Sequence, residues 1–338
     1  MARPQQDPRA RLTVADVTVL GGTFAGVAAA VRLARVGHTV VLVPGRDDWA
    51  AALRAELGPT LDFPAPWRDL FKKSGRPAAG ALGLHGLELV ADPDPPTDRG
   101  QRWYADRDAL GAAHADAWRS FVDAADATWQ ALRPLGVEAE ITAATGSDAA
   151  LTRAGLHPRR SLADVARTLP HPTLAARVTA LATDRGLDPR AAPAWLISRL
   201  AVERTFGRWR LLDAAGAARP ASELVDVLRD RIADRGVALA DAAPADPSPA
   251  RAVVDARDPG VAWRRPRPLR REGTFFDQLR RRPLVSDPAA PGLFLASASS
   301  AAGAEPWAQL LSGALAAYAA HAHLTGEDIR PTNKALAR

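Results

Sequence analysis

The sequence predicts an α/β fold in which a parallel sheet is assembled from both ends of the chain, with a mainly helical stretch inserted between them. Three observations carry this. Residues 16–43 read as strand, glycine turn, helix and second strand, which together form one βαβ unit. Short apolar runs that read as strands return late in the chain, at Ala252–Asp255 and Gly292–Ala296. Between these ends the apolar residues recur at helical spacing, and no internal repeat interrupts them.

Each element follows from local signals. Asp16–Leu20 (DVTVL) is a β-branched run that ends in Gly21-Gly22, as a buried strand entering a tight turn does. Phe24–Val36 places Ala, Val and Leu at helical spacing and stops at Gly37. His38–Val43 (HTVVLV) is the second buried strand. Helices are predicted at Asp47–Leu57, Pro66–Lys73, Arg107–Leu135 (one long amphipathic helix or a pair), Ser161–Thr168, Thr173–Arg185, Ala192–Arg204 and Ala221–Arg235. Val237–Leu239 reads as a strand and Asp241–Ala250 (DAAPADPSPA) as a loop without periodicity. Trp307–His323 is the closing helix. The expected division is a disordered tail over 1–11, a sheet domain from 12–80 and 205–330, and a helical domain over 81–204.

Composition narrows the function classes. Of 338 residues, 47% are hydrophobic and 24% charged, the balance of a folded globular chain, not of a disordered one. No apolar run approaches the roughly 18 residues of a membrane span, since Arg32 and Arg35 interrupt the best early candidate. Met1–Arg11 is polar, carries Pro4 and Pro8, and lacks the apolar core of a secretory signal, so a cytoplasmic location is expected. The absence of cysteine excludes disulfides, thiolate nucleophiles and cysteine-held metal centres. Eight arginines between Arg264 and Arg282 face only Glu272 and Asp277, a local surplus that equals the net charge of the whole chain, +6. No nucleic-acid-binding module accompanies them, so that segment reads as a solvated or partner-facing loop, without nucleic acid as the partner.

Gly21-Gly22-Thr23-Phe24-Ala25-Gly26 keeps the first and third glycines of the dinucleotide fingerprint and replaces the middle one with Thr23. Exposed N–H groups at the start of the helix would favour an anion, and the Thr23 hydroxyl could itself bond a phosphate. The acidic residue that holds the ribose hydroxyls belongs at the end of the second strand, where this chain has Pro44. Asp47 and Asp48 follow but fall on the next predicted helix. Two readings stand side by side: a phosphate cradle, or glycines kept only for strand–helix packing.

Several segments together resemble the FAD-dependent flavoproteins of the phytoene desaturase and amine oxidase superfamily. They are VTVLGGTFAGVAAAVRLARVGHTVVLV (17–43), GPTLDFPAPWRDLFKKSGRP (58–77), AWLISRLAVERTFGRW (194–209), AVVDA (252–256) and GLFLASASSAAGAEPWAQLLSGALAA (292–317), in family order. The resemblance implies an FAD-binding Rossmann-like domain and a reduced, mainly helical substrate domain. It also implies hydride transfer from an apolar small molecule to flavin. Gly21, Gly22, Thr23, Ala25 and Gly26 would then hold the pyrophosphate, and Ser299, Ser300 and Gly303 would lie near the flavin. The departures fall on cofactor contacts. PGRDDWAAALRAEL (44–57) replaces the family's acidic residue and "GGR" loop. RLLDAAGAARP follows Trp209 in place of a Gly-Gly pair, and Ser297 and Ala301-Ala302-Gly303 replace the closing glycine and His-Pro-Gly. They open the alternative of a cofactor-free relative that binds a protein partner through Arg264–Arg282.

In flavin chemistry the isoalloxazine takes the hydride, so the lack of an obvious acid–base pair does not count against an oxidoreductase. The seven histidines form no metal motif, and His321 and His323, two apart on one helix, diverge. His38 is expected to close the turn before the second strand. No serine sits in a nucleophile-elbow pattern. Trp67, Trp118, Trp129 and Trp195 read as core, whereas Trp209 and Trp307 are the better candidates to line a cavity.

Overall fold

The structure is a computed structural model that describes residues 15–92, 110–134, 139, 148–157, 160–183, 188–241, 250–257, 285–286, 290–296 and 305–331. The tail over 1–11, the arginine-rich segment, and Ser299, Ser300 and Gly303 lie outside the described residues. The strands are β1 (Val17–Leu20), β2 (Val40–Val43), β3 (Leu61–Asp62), β4 (Leu87–Ala91), β5 (Arg208–Asp213), β6 (Ala218–Arg219), β7 (Ala238–Leu239), β8 (Ala252–Asp255) and β9 (Leu293–Leu295). The helices are α1 (Phe24–Arg35), α2 (Trp49–Glu56), α3 (Ala65–Ser74), α4 (Ala78–Gly83), α5 (Ala112–Leu132), α6 (Asp148–Arg153), α7 (Leu162–Ala166), α8 (Pro172–Thr183), α9 (Ser198–Phe206), α10 (Leu224–Asp234) and α11 (Pro306–Thr325).

The fold is mixed α/β, with a parallel sheet and a separate helical region. The parallel sheet runs β7-β2-β1-β8-β9. Leu20 stands opposite Val43 on one side and Asp255 on the other, so the carboxyl ends of the three central strands are level. All four residues of β1 are buried, as a central parallel strand covered on both faces requires. Helix α1 is apolar nearly all round and packs between the sheet and α3 and α11. Its one buried charge, Arg32, is held by Asp69 of α3 at 2.6 Å and by the Tyr318 hydroxyl of α11 at 3.2 Å. α1 and α11 run in the same direction. A Cβ on Gly313 would overlap the Ala25 carbonyl, and Arg32 meets Tyr318 further along both helices.

A second sheet was not expected. β3, β5 and β4 pair antiparallel, with β6 added on β5. It places a strand at 87–91, within the stretch read as helical, and another at 208–213, where only a departure from the family pattern was read. Both strands are half exposed and carry charges on one face, and each opens just after a glycine of positive φ, Gly86 and Gly207 (both +66°). The helical region is formed by α5–α9. Capping residues set some of its ends. Ser161 accepts from the Asp164 N–H while the Asp164 carboxylate accepts from the Ser161 N–H, a closed capping box that starts α7. No helix among the described residues is long and apolar enough to cross a membrane.

Candidate functional site

The chain leaves β1 toward β2 on one side and later returns as β8 on the other. The crevice beyond the carboxyl ends of β1 and β8 is therefore the topological switch point, where open α/β sheets bind ligands. The turn Gly21–Gly26 lies there. Gly21 has φ +108°, and a Cβ on it would come within 2.6 Å of the Ala256 backbone. A Cβ on Gly26 would overlap the Gly21 carbonyl oxygen and stand 3.2 Å from the Ala256 side chain. Both glycines are thus dictated by close approach of strand, turn and helix.

The turn's donors are largely committed. Gly21 N–H donates to the Val43 carbonyl and Gly22 N–H to that of Pro44. Thr23 is the N-cap of α1. Its hydroxyl accepts from the Gly26 N–H at 3.1 Å and donates to the Ala256 carbonyl at 2.9 Å. In this structure the Thr23 proton is given to Ala256 and not left for an anion. Phe24 and Ala25 begin the helix, so their N–H groups have no intrahelical acceptor. Of the turn residues read as cofactor-binding, Ala25 thus offers a backbone donor, while Gly21, Gly22 and Gly26 offer the space that lets the turn form.

At the ribose end the geometry differs from the fingerprint. A Cβ on Gly22 would meet Trp49 Cβ at 2.7 Å and Pro44 Cβ at 3.0 Å, and Trp49 is itself buried. Trp49, the first residue of α2, thus packs against Gly22, and Pro44 stands at the end of β2 where an acidic side chain holds ribose hydroxyls. Asp48 precedes α2 instead of lying on it, and its carboxylate is engaged by Arg46, which holds it below the usual carboxylate range.

Sequence reading missed a charged pair at the same crevice. Asp255, at the end of β8, is buried and accepts a fork from Arg257 Nε (2.9 Å) and Nη2 (2.7 Å). The Asp255 bond raises the Arg257 pKa further above its ordinary value. The backbone nitrogen of Arg257 lies beside Gly21, 2.7 Å from where a Cβ on that glycine would stand, so the pair follows directly on the turn's contact with β8. The only sequence signal was an Asp-x-Arg at the end of an apolar run.

Trp307, in the first turn of α11, lies at the same end of the molecule as the turn before α1, because the two helices are parallel. It joins Phe63, Trp129 and Phe206 in a buried aromatic cluster, with ring centroids 4.4–5.6 Å from Phe63. Arg199 lies over the Trp307 ring at 4.3 Å and pairs with Glu305 at 3.1 Å. Phe63 has φ +47°, the left-handed region that a bulky side chain rarely adopts. The cluster joins the antiparallel sheet, the helical region and the closing helix. Trp307 was read as lining a cavity and lies in this cluster. Trp209 instead donates its indole N–H to the Phe206 carbonyl at 2.7 Å and stacks under Arg68 at 4.3 Å. Among the described residues, no group of three or more His, Asp or Glu side chains is placed to hold a metal ion.

No protein-family model matches the chain, and no curated protein matches it. Solved structures that are similar include a putrescine oxidase mutant from a structure-based redesign of cofactor binding. It is 13% identical, with a TM-score of 0.38 over 67% of this chain and 50% of that one. The chain spans about half the length of that relative. The likeness is distant and structural.

Proposed function

We propose that this chain is an FAD-dependent oxidoreductase that dehydrogenates an apolar small molecule. The reading is supported above all by one observation: the Gly21–Gly26 turn sits at the switch point of a parallel sheet, with the starts of α1 and α11 at the same end. The residues 12–80 and 205–330 act as the nucleotide-binding part and 81–204 as the cap over the substrate. At the diphosphate the residues fit. The Phe24 and Ala25 N–H groups and the positive end of α1 attract an anion. At the ribose they do not fit, because Pro44 takes the place of the acceptor. When bound, FAD supplies a hydride acceptor. The chain's own contribution is to orient an apolar substrate and exclude water. Ser299, Ser300 and Gly303 complete the cofactor contacts in this reading.

The test is the visible absorption spectrum of the purified protein before and after excess FAD followed by gel filtration. Near-stoichiometric bound flavin is the expected outcome; a colourless protein after loading would reject the reading.

A second reading, a cofactor-free relative that binds a protein partner through Arg264–Arg282, is favoured by Pro44 in the acceptor's place and by Trp49, which packs against Gly22 beside it. The two readings separate at that residue. If Trp49 excludes the cofactor, Trp49→Ala gains flavin that the unsubstituted protein lacks. If FAD is bound already, the same substitution leaves occupancy unchanged or lowers it. In the second reading, replacing the eight arginines abolishes capture of the partner while the circular dichroism spectrum is retained.

A further inference from the structure

The amino end of the parallel sheet carries a cluster of cations that the proposed cofactor site does not use. Arg231, on the last turns of α10, is 4% exposed. Its two terminal nitrogens reach only backbone carbonyls, Ser74 at 3.3 Å and Arg76 at 3.4 Å. Arg235, the residue after α10, brings its guanidinium alongside. A Cβ on Gly75 would overlap Arg231 Nη1 and stand 2.9 Å from Arg235 Nη2, so both guanidinium groups flank one glycine Cα. Gly75 has φ +143° and ends α3, whose last turn also carries Lys72 and Lys73. The Arg235 Nε is buried without a hydrogen-bond partner.

Buried charges in proteins are ordinarily paired with an opposite charge. Here no carboxylate lies within ion-pair distance of Arg76, Arg231 or Arg235 among the described residues. Burial, then the neighbouring Arg235 and Arg76 charges, push the Arg231 pKa below its ordinary value, and Asp234 only partly opposes them. The carbonyls at the end of α3 offset some of this positive charge through the helix dipole, which accounts for Arg231 as a cap. They leave Arg235, packed against Gly75, and the exposed Arg76 next to it in the chain, without an opposite charge.

We propose that Arg76, Arg231 and Arg235 form a binding site for a phosphate group, either free phosphate or the phosphate of a small ester. Forked guanidinium donors match the oxygens of a tetrahedral oxyanion, and guanidinium groups gathered without a carboxylate match its charge. The site is remote from the glycine turn. α10 leads through Arg235 into the amino end of β7, whereas the turn follows the carboxyl end of β1 in the same parallel sheet.

Isothermal titration of the full chain with inorganic phosphate, at ionic strength fixed with sodium chloride, tests this. One saturable site is expected. Arg235→Ala should weaken it by roughly tenfold or more, the loss of one charge-assisted bond, and Arg76→Ala, at an exposed position, provides a second variant that leaves the core intact. Glycerol phosphate is titrated in parallel. Tighter binding of the ester points to a metabolite, and equal or weaker binding to free phosphate. Absence of saturable heat with either probe, or binding unchanged in both variants, overturns the proposal.

Discussion

The two ends of the parallel sheet solve different problems with different groups. At the carboxyl end the close approaches are made by backbone: Gly21, Gly26 and the Ala256 carbonyl pack without a side chain between them, and the one buried carboxylate, Asp255, is matched by Arg257. At the amino end the approaches are made by ionisable side chains, Arg231 beside Arg235 and His38 against His321, with fewer opposite charges to match them. The carboxyl end should therefore respond to changes of shape and the amino end to changes of charge.

The largest effect expected is at Gly26. Gly26→Ala adds a single methyl group, yet that group would overlap a backbone oxygen that no rotamer change can move. Overpacking of this kind costs about 3 kcal/mol or more when backbone must shift, so denaturant unfolding should show a large loss of stability or no cooperative transition. Gly83→Ala, at the end of α4 with nothing within 4 Å of the added methyl, should be close to neutral. Equal effects at the two positions would break the distinction between a glycine dictated by contact and one merely tolerated. Because a side chain at Gly26 would strain the fold itself, loss of flavin in any Gly26 variant would report on the fold as much as on a cofactor.

Thr23→Val sharpens the same end at lower cost. It keeps the side-chain shape and removes two hydrogen bonds, one to the Gly26 N–H and one to the Ala256 carbonyl. Loss of an N-cap together with an unsatisfied carbonyl is worth about 1–2 kcal/mol. A hydroxyl reserved for a phosphate would give a different outcome: unchanged stability of the ligand-free protein and weaker anion binding. Thermal unfolding of the two proteins in anion-free buffer decides between them.

The contrast between the ends also explains what could be read from the sequence. β1, α1, β2, β8 and the closing helix announce themselves because they are buried on most sides, and full burial forces uninterrupted apolar runs bounded by glycine. Leu87–Ala91 and Arg208–Asp213 were not legible as strands because only one face is covered, so charged residues such as Glu88, Arg208 and Arg210 dilute the pattern. Within the site, the glycines were legible because their spacing is fixed by the turn. The commitment of Thr23 to Ala256 was not, since its partner lies 233 residues away. Trp49 is the clearest case: nothing in the sequence singles it out, and only its approach to Gly22 brings it to the site.

The smallest effect concerns charge at the amino end and depends on pH. His38 Nε2 lies 2.9 Å from His321 Nδ1, so one ring donates to the other, and a second proton on the pair would set two cations against each other. Burial first, then His321, lower the His38 pKa from its ordinary 6.5; Asp16 partly opposes this, and Arg251 lowers it further. A lowered pKa in the folded state means that the unfolded chain binds more protons as the solution is acidified. The contribution of His38 to stability is therefore fully present above pH 6.5 and is lost as pH falls from there through the lowered folded value. Chemical denaturation across pH 5–8 should show this slope, and His38→Gln, which keeps a hydrogen-bonding side chain without titrating, should flatten it. A slope identical in the variant would assign the acid sensitivity to other groups. It would also remove the histidine pair from the contrast, leaving the arginines around Gly75 as the charge-sensitive feature of that end.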